Sequence, residues 1–183
     1  GGKDMGNRIY PIGIQNFEKI RKEGYVYVDK TALMYKLVKS GSYFFLSRPR
    51  RFGKSLLIST LEAYFEAKRD LFEGLAVETL EKDWVKRPVL HLDLNIGKYD
   101  TPDSLDKILN ETLDYWESLY GTRSAETTLA LRFAGVVGRA YEQSGERVAI
   151  LIDEYDKPLL QAIGNEELQR EFRNTLKPFY GRS

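Results

Sequence analysis

Three short apolar runs, separated by stretches with helical periodicity, constrain the fold of this chain more than any other feature. The runs cover residues 43–46, 89–94 and 148–152, and each is preceded by glycine, serine or proline within a few residues. The last run is continuous and rich in β-branched side chains, as expected for a parallel strand covered on both faces. Strands that alternate with helices predict an α/β fold.

Five longer segments carry apolar side chains at spacings of three and four residues, which predicts amphipathic helices. Their approximate bounds are residues 30–39, 54–68, 103–120, 125–143 and 166–177. No repeat, low-complexity segment or interdomain linker interrupts these stretches. We therefore expect residues 1–183 to form one domain.

Composition excludes several classes of site. The 28 basic and 27 acidic side chains nearly cancel, so no global field favours nucleic acid or a membrane. The absence of cysteine excludes disulfides and thiolate metal sites and fits a reducing compartment, so we expect a cytoplasmic protein. No apolar run approaches the roughly 18 residues of a membrane-spanning helix.

The segment between the first strand and the next helix carries the strongest chemical signal. It reads R-P-R-R-F-G-K-S and matches G-x-x-x-x-G-K-[ST] except that Arg48 replaces the first glycine. Gly53 lets the backbone approach a phosphate, Lys54 reaches the β- and γ-phosphate oxygens, and Ser55 offers a hydroxyl to Mg²⁺. The candidate phosphate-binding residues are Arg48, Pro49, Arg50, Arg51, Phe52, Gly53, Lys54, Ser55 and Leu56.

The alternative is that Gly-Lys-Ser is a chance tripeptide in an exposed basic turn. Against it, the segment lies between a predicted strand and a predicted helix, which is the setting that a phosphate loop requires. Arg48, Arg50 and Arg51 would also repel one another unless an anion or an acidic partner lay nearby.

Two carboxylates directly follow the last apolar run, where α/β sheets bind their ligands. Asp153 is placed to hold Mg²⁺ through its water shell, and Glu154 to accept a proton from the attacking water. Lys54 and Glu154 are therefore the candidate catalytic residues, and Ser55 and Asp153 the candidate metal ligands. A solvated strand end or a helix cap is the alternative explanation for the acidic pair.

Other polar residues near these motifs have less specific interpretations. We expect Asp156 and Lys157 to be structural, either capping a helix or pairing with the loop arginines. His91, the only histidine, lies in a predicted strand and is expected to be a hydrogen-bonded imidazole of the core or near the surface rather than a catalytic base. Asp93 ends its strand as Asp153 does, and can line the same edge of the sheet.

Taken together, these motifs resemble the AAA-ATPase-like bacterial proteins of the P-loop class, whose phosphate loop is typically R-P-R-R-F-G-K-S. In that family an arginine at position 48 is normal. The resemblance covers nearly the whole chain, through residues 10–13, 17–21, 27–31, 48–55, 88–93 and 152–156. It implies ATP and Mg²⁺ as ligands and a P-loop NTPase sandwich with a mostly parallel sheet flanked by helices. It also suggests that residues 27–31 lie near the nucleotide base or beside the loop.

The resemblance raises a question about the sheet. In P-loop proteins of the additional-strand type, a strand that follows the acidic one inserts between it and the phosphate-loop strand, and ends in a sensor residue. After residue 177 no apolar strand follows. Three explanations stay open: the chain is a fragment of a longer protein, a partner such as a second copy supplies the strand, or the two strands are adjacent. Full-length relatives commonly continue into a PD-(D/E)XK nuclease-like region, which makes nucleic acid an indirect partner.

Three functions compete at this point. The first is an ATPase that hydrolyses ATP to ADP and phosphate. The second is a nucleotide-gated regulatory module without turnover that controls a nuclease-like or partner domain. The third, ranked last, makes Arg48, Arg50, Arg51 and Phe52 a nucleic-acid contact.

Overall fold

A computed structural model of the protein describes residues 16–47 and 54–181, which divide into two compact units. The helical unit lies within residues 1–41 and 48–87, and the sheet unit within residues 42–47 and 88–183. The chain therefore passes from the helical unit into the sheet unit for one short strand, returns, and later completes the sheet.

The sheet unit is built on three parallel strands that the sequence predicted. They are β1 (Tyr43–Leu46), β2 (Val89–Asp93) and β3 (Ala149–Asp153), in the order β1-β3-β2. Of the arrangements left open above, the described strands adopt the one in which the phosphate-loop strand and the acidic strand are neighbours, with Leu46 opposite Asp153. The α/β class with a small parallel sheet flanked by helices is thus confirmed.

Eight α-helices are found in the described part of the chain. The helical unit contains α1 (Phe17–Lys22), α2 (Thr31–Lys39), α3 (Lys54–Phe65) and α4 (Ala76–Leu80). The sheet unit contains α5 (Pro102–Tyr120), α6 (Leu129–Ser144), α7 (Lys157–Gln161) and α8 (Glu166–Leu176). Short 3₁₀ segments occur at Arg69–Phe72, Leu94–Ile96 and Lys177–Tyr180.

The five predicted helices correspond to α2, α3, α5, α6 and α8, but α6 begins four residues later than predicted. The Thr128 hydroxyl accepts a hydrogen bond from the Leu131 N–H at 3.1 Å and caps the helix there. Before this cap, Glu126 is held in a turn and accepts a two-pronged hydrogen bond from the guanidinium of Arg139. The pairing of Glu126 with Arg139 thus holds in a turn the residues before Thr128 that apolar spacing alone had predicted to be helical.

Helix α3 ends three residues earlier than predicted because Ala67 adopts a left-handed backbone, with φ of 57°. The N–H of Lys68 donates to the carbonyl of Ala63 at 3.1 Å, and the N–H of Ala67 to that of Tyr64 at 3.0 Å. This is the Schellman pattern, in which glycine usually occupies the left-handed position. Helix α6 follows the commoner rule, since Gly145 takes φ of 70° directly after its last residue.

The register of the sheet decides which side chains share a face. Successive side chains of a strand point to opposite faces, and in-register neighbours on parallel strands point to the same one. One face, with Leu90, Leu92, Ile150 and Ile152, is buried in the core of the sheet unit. That core includes Leu105, Leu109 and Leu113 of α5, Phe133 and Val136 of α6, Phe172 of α8 and Phe179. The opposite face therefore carries His91, Asp93 and Asp153.

Candidate functional site

Most of the predicted phosphate loop lies outside the described residues. This applies to Arg48, Pro49, Arg50, Arg51, Phe52 and Gly53. The described part begins with Lys54 and Ser55, which open α3, followed by Leu56. Lys54 is half-buried and Ser55 is exposed. The first turn contains no acidic side chain, so the positive end of the helix dipole is not neutralised within its own helix.

Two side chains of α3 attach this helix to the start of the described chain. The hydroxyl of Ser59 accepts a hydrogen bond from the N–H of Phe17 at 3.0 Å. Tyr27 contacts the ring of Phe17 edge to face, with centroids 5.2 Å apart. Burial raises the pKa of Tyr27, and a hydrogen bond with Thr60 opposes that rise. The helix that opens with Lys54 is therefore held at its middle turns by residues 17 and 27.

Residues 29 and 31 join the N-terminal ends of α2 and α4. One carboxylate oxygen of Asp29 accepts from the N–H of Thr31 at 2.8 Å and from its hydroxyl at 2.6 Å. The other oxygen accepts from the N–H of Ala76 at 2.7 Å, and the Thr31 hydroxyl accepts from the N–H of Val77 at 3.1 Å. Segment 27–31 thus has a structural role inside the helical unit, while its placement near a nucleotide base stays a prediction.

The charge of Asp29 is held by these contacts. Burial raises the pKa of this carboxyl, but the hydrogen bonds from Thr31 and from the backbone of Thr31 and Ala76 outweigh burial and keep the pKa below its ordinary value. Asp29 therefore remains a carboxylate with its oxygens directed at backbone donors.

The acidic pair lies at the carboxyl end of β3. Asp153 is the last residue of the strand, and both Asp153 and Glu154 are buried, with 7% and 5% of their surfaces exposed. Glu154 has a left-handed backbone with φ of 58°, and its N–H donates to the carbonyl of Leu46 at 2.7 Å. Buried carboxylates are rare unless other groups engage them, so a plain solvated strand end does not describe this pair.

Strand β2 brings two more polar side chains to Asp153. Asp93 is opposite Asp153 in register, as its position at a strand end suggested, and one of its oxygens accepts from the N–H of Asn95 at 2.9 Å. The Nε2 atom of His91 lies 3.9 Å from Oδ2 of Asp153. The sequence indicated an imidazole of the core or near the surface, but did not indicate this neighbour. Only the pairing of β2 with β3 reveals it.

The residues after Glu154 have structural contacts. Asp156 occupies the N-cap position of α7, yet its side chain forms no capping hydrogen bond there. The ammonium group of Lys157 donates to the carbonyl of Asn95 at 2.5 Å and ties α7 to the end of β2. The structural role expected for Lys157 is confirmed. Of the two contacts expected for Asp156, the capping bond is absent, and the pairing with the loop arginines lies outside the described residues.

A cleft of about 570 Å³ lies in the sheet unit, beginning one residue after Glu154. Its lining includes Phe45, Tyr155, Leu176 and Tyr180, together with the basic side chains of Arg173 and Lys177. None of the predicted phosphate or metal residues in the described ranges lines it. The cleft is therefore distinct from the acidic strand end.

Two features are absent from the described residues. In residues 16–47 and 54–181, no group of three or more His, Cys, Asp or Glu side chains is arranged to hold a metal ion. Over the same ranges, no helix is long and apolar enough to cross a membrane.

Comparison with known proteins gives a family. A family model described as predicted AAA-ATPase, AAA-ATPase-like, matches residues 11–183. A protein of Azotobacter chroococcum mcd 1, described as an uncharacterized protein in the vnfD 5′ region, is 40% identical over 178 residues. That similarity covers 96% of this chain and 34% of the relative, so the chain spans about a third of the relative's length. No solved structure matched the chain.

Proposed function

The chain belongs to the predicted AAA-ATPase family, and we propose that it binds ATP with Mg²⁺ and hydrolyses the ATP to ADP and phosphate. One structural observation supports this proposal above the others. Strand β1, which leads into the phosphate-loop sequence, pairs in parallel with β3, which ends in Asp153 and Glu154. A P-loop NTPase requires a phosphate loop and an acidic pair that each follow a parallel strand of the same sheet, and the pairing of β1 with β3 agrees with this requirement.

The proposed binding residues follow from the motif. Lys54 would bind the β- and γ-phosphate oxygens, and the motif assigns residues 48–56 to phosphate binding. The oxygen donors of Ser55 and Asp153 fit Mg²⁺, a hard cation that keeps several waters and prefers carboxylate and hydroxyl oxygens. When bound, Mg²⁺ neutralises charge on the phosphate oxygens. Its water shell lets Asp153 act without a complete cage of protein ligands.

For hydrolysis, we assign Glu154 the role of orienting water and accepting its proton. The carboxylate follows Asp153 directly, and its backbone is fixed by the hydrogen bond to Leu46. A base that is held in this way loses little conformational freedom when the substrate binds. ATP turnover thus depends on Glu154 more strongly than ATP binding does.

The alternative is a nucleotide-gated module that binds ATP without turnover and regulates another region. The length of the relative supports this alternative, because about two thirds of that protein lies outside the similarity. A nuclease-like region, a homo-oligomer and a cytoplasmic location all remain proposals for the whole protein. Binding of ATP without release of phosphate would select this alternative.

Calorimetry with ATP, GTP and ADP, with and without Mg²⁺, tests binding, and phosphate release tests turnover. We expect Lys54→Ala to abolish detectable ATP binding. Glu154→Gln is expected to keep ATP affinity and to lower kcat by at least about 100-fold, the usual contribution of a general base. Lys98→Ala serves as the control, because it also removes one positive charge, but at an exposed lysine of the sheet unit. Equal turnover in the Lys54 variant and the native protein would refute the assignment.

If DNA binds and ATP does not displace it, the arginines of the loop have a different role. That result would favour the nucleic-acid contact over the phosphate loop.

A further inference from the structure

The side chain of His91 is directed at the carboxylate that the proposed function assigns to Mg²⁺. Its Nε2 atom is buried and lies 3.9 Å from Oδ2 of Asp153, while 30% of the imidazole side chain is exposed. The imidazole ring is therefore buried at Nε2, while other atoms of the side chain are exposed to solvent.

The pleat of the sheet explains why these two side chains meet. Asp93 of β2 is in register with Asp153 of β3, and His91 precedes Asp93 by two residues, so all three side chains leave the same face. A side chain two positions along a neighbouring strand is within reach when it is as long as an imidazole. The contact thus follows from register rather than from the position of a loop.

On this face, His91 is the strand residue that can donate a side-chain N–H. Asp93 is a second anion, which would repel Asp153, and its Oδ1 already accepts from Asn95. The remaining side chains of the three strands on this face are apolar: Phe44, Leu46, Val89, Ala149 and Leu151.

We propose that His91 is a positioning residue, which orients the Asp153 carboxylate toward the water shell of Mg²⁺ in the ATP complex. The inference rests on the proposed function, since it assumes that Asp153 serves Mg²⁺. A carboxylate that works through a metal is normally held by an outer hydrogen-bond partner, and loss of that partner typically lowers metal affinity or activity 10- to 100-fold.

The distance is consistent with a positioning role. At 3.9 Å the contact is longer than a direct hydrogen bond. Hydrogen bonds at active sites are often long without substrate and shorten in the complex.

The experiment compares His91→Leu, which removes the donor, with His91→Gln, whose amide nitrogen can occupy the place of Nε2. Val89→Ala is the matched control, because it alters the same face of β2 two residues away. ATP binding is measured by calorimetry over a series of Mg²⁺ concentrations and also in EDTA, and thermal unfolding of each variant is recorded.

We expect His91→Leu to raise the Mg²⁺ concentration needed for half-maximal enhancement of ATP binding about 10-fold and to leave ATP affinity in EDTA unchanged. His91→Gln should restore the native Mg²⁺ dependence to within about twofold, and Val89→Ala should not alter it. A merely structural role would instead lower both affinities and the melting temperature together.

Three results would overturn the inference. They are a native Mg²⁺ dependence in His91→Leu, equal losses with Mg²⁺ and in EDTA, or no rescue by glutamine. Failure of the proposed function gives a different result, because the native protein itself would then bind no ATP in the presence of Mg²⁺.

Discussion

The two units are stabilised in different ways. The described part of the helical unit contains helices and no strand, and side chains that bind backbone groups join those helices. Arg21 donates to the carbonyls of Leu71 and Glu73 at 2.8 and 2.6 Å, and residues 29 and 31 bind the first turn of α4. Both units bury apolar side chains, including Phe17, Leu61 and Phe72 in the helical unit. In the sheet unit this burial forms a continuous core between one face of the sheet and α5, α6 and α8.

This difference explains which parts of the fold the sequence could predict. Apolar burial leaves a periodic pattern, so the three strands and the long helices of the sheet unit could be predicted from spacing. A single side chain that binds a distant N–H leaves no pattern. The short helices α1, α4 and α7 were missed because five or six residues are too few to show a helical period. The joint at Asp29 and Thr31 is visible only in three dimensions.

The largest expected effect is in the apolar core. Phe172 is 1% exposed and contacts Tyr99 edge to face, with centroids 6.1 Å apart. Phe172→Ala should lower the free energy of unfolding by about 3–5 kcal/mol, because it removes a large buried ring and leaves a cavity. Denaturant unfolding measures the loss, and Phe172→Leu should recover most of it. A loss below about 1 kcal/mol would mean that apolar packing does not dominate the sheet unit.

The polar joint should have the next largest effect. Thr31→Val keeps the shape of a fully buried side chain but removes the acceptor of the Val77 N–H and a donor to Asp29. The unfolding free energy should fall by about 1–3 kcal/mol, since a buried N–H is left unsatisfied. Faster hydrogen exchange at Val77 would locate the effect.

Thr31→Ser, which keeps the hydroxyl, is the control for that experiment. If the serine variant is no more stable than the valine variant, the hydroxyl does not hold α2 and α4 together.

Smaller and opposite effects are expected at two helix ends. Ala67 and Gly145 both have left-handed backbones, with φ of 57° and 70°. Ala67→Gly should stabilise the helical unit by about 0.5–1 kcal/mol, and Gly145→Ala should destabilise the sheet unit by about 1 kcal/mol. Thermal melts compare the two variants. Effects of the same sign would show that backbone strain does not control these ends.

The smallest effect concerns pH. The folded pKa of Asp29 is below its unfolded value of about 3.9, so its stabilising contribution is fully present above that value and is lost as the pH falls through the folded pKa. The difference in melting temperature between the native protein and Asp29→Asn should be constant above about pH 5 and shrink at lower pH. A difference that grows toward acid would contradict the direction of this shift.

The candidate site could be predicted only in part. The order of strand, loop and helix and the acidic pair at the strand end predict Lys54, Ser55, Asp153 and Glu154 as site residues, and their roles stay predictions. The sequence could not decide whether β1 and β3 are neighbours, because strand order depends on how the crossovers pack. The proximity of His91 to Asp153 needed that order as well as the register of β2.

With Glu154 in the proposed role, its left-handed backbone implies a trade-off between stability and function. A residue with a β-carbon is disfavoured there, and glycine or asparagine would relieve the strain, yet either would remove the carboxylate. Glutamine is as disfavoured as glutamate in this backbone conformation. The Glu154→Gln substitution therefore changes the carboxylate without changing the backbone strain. Glycine at the same position would change backbone and chemistry together. The rise in melting temperature in Glu154→Gly would measure the stability that is lost because a glutamate occupies this position.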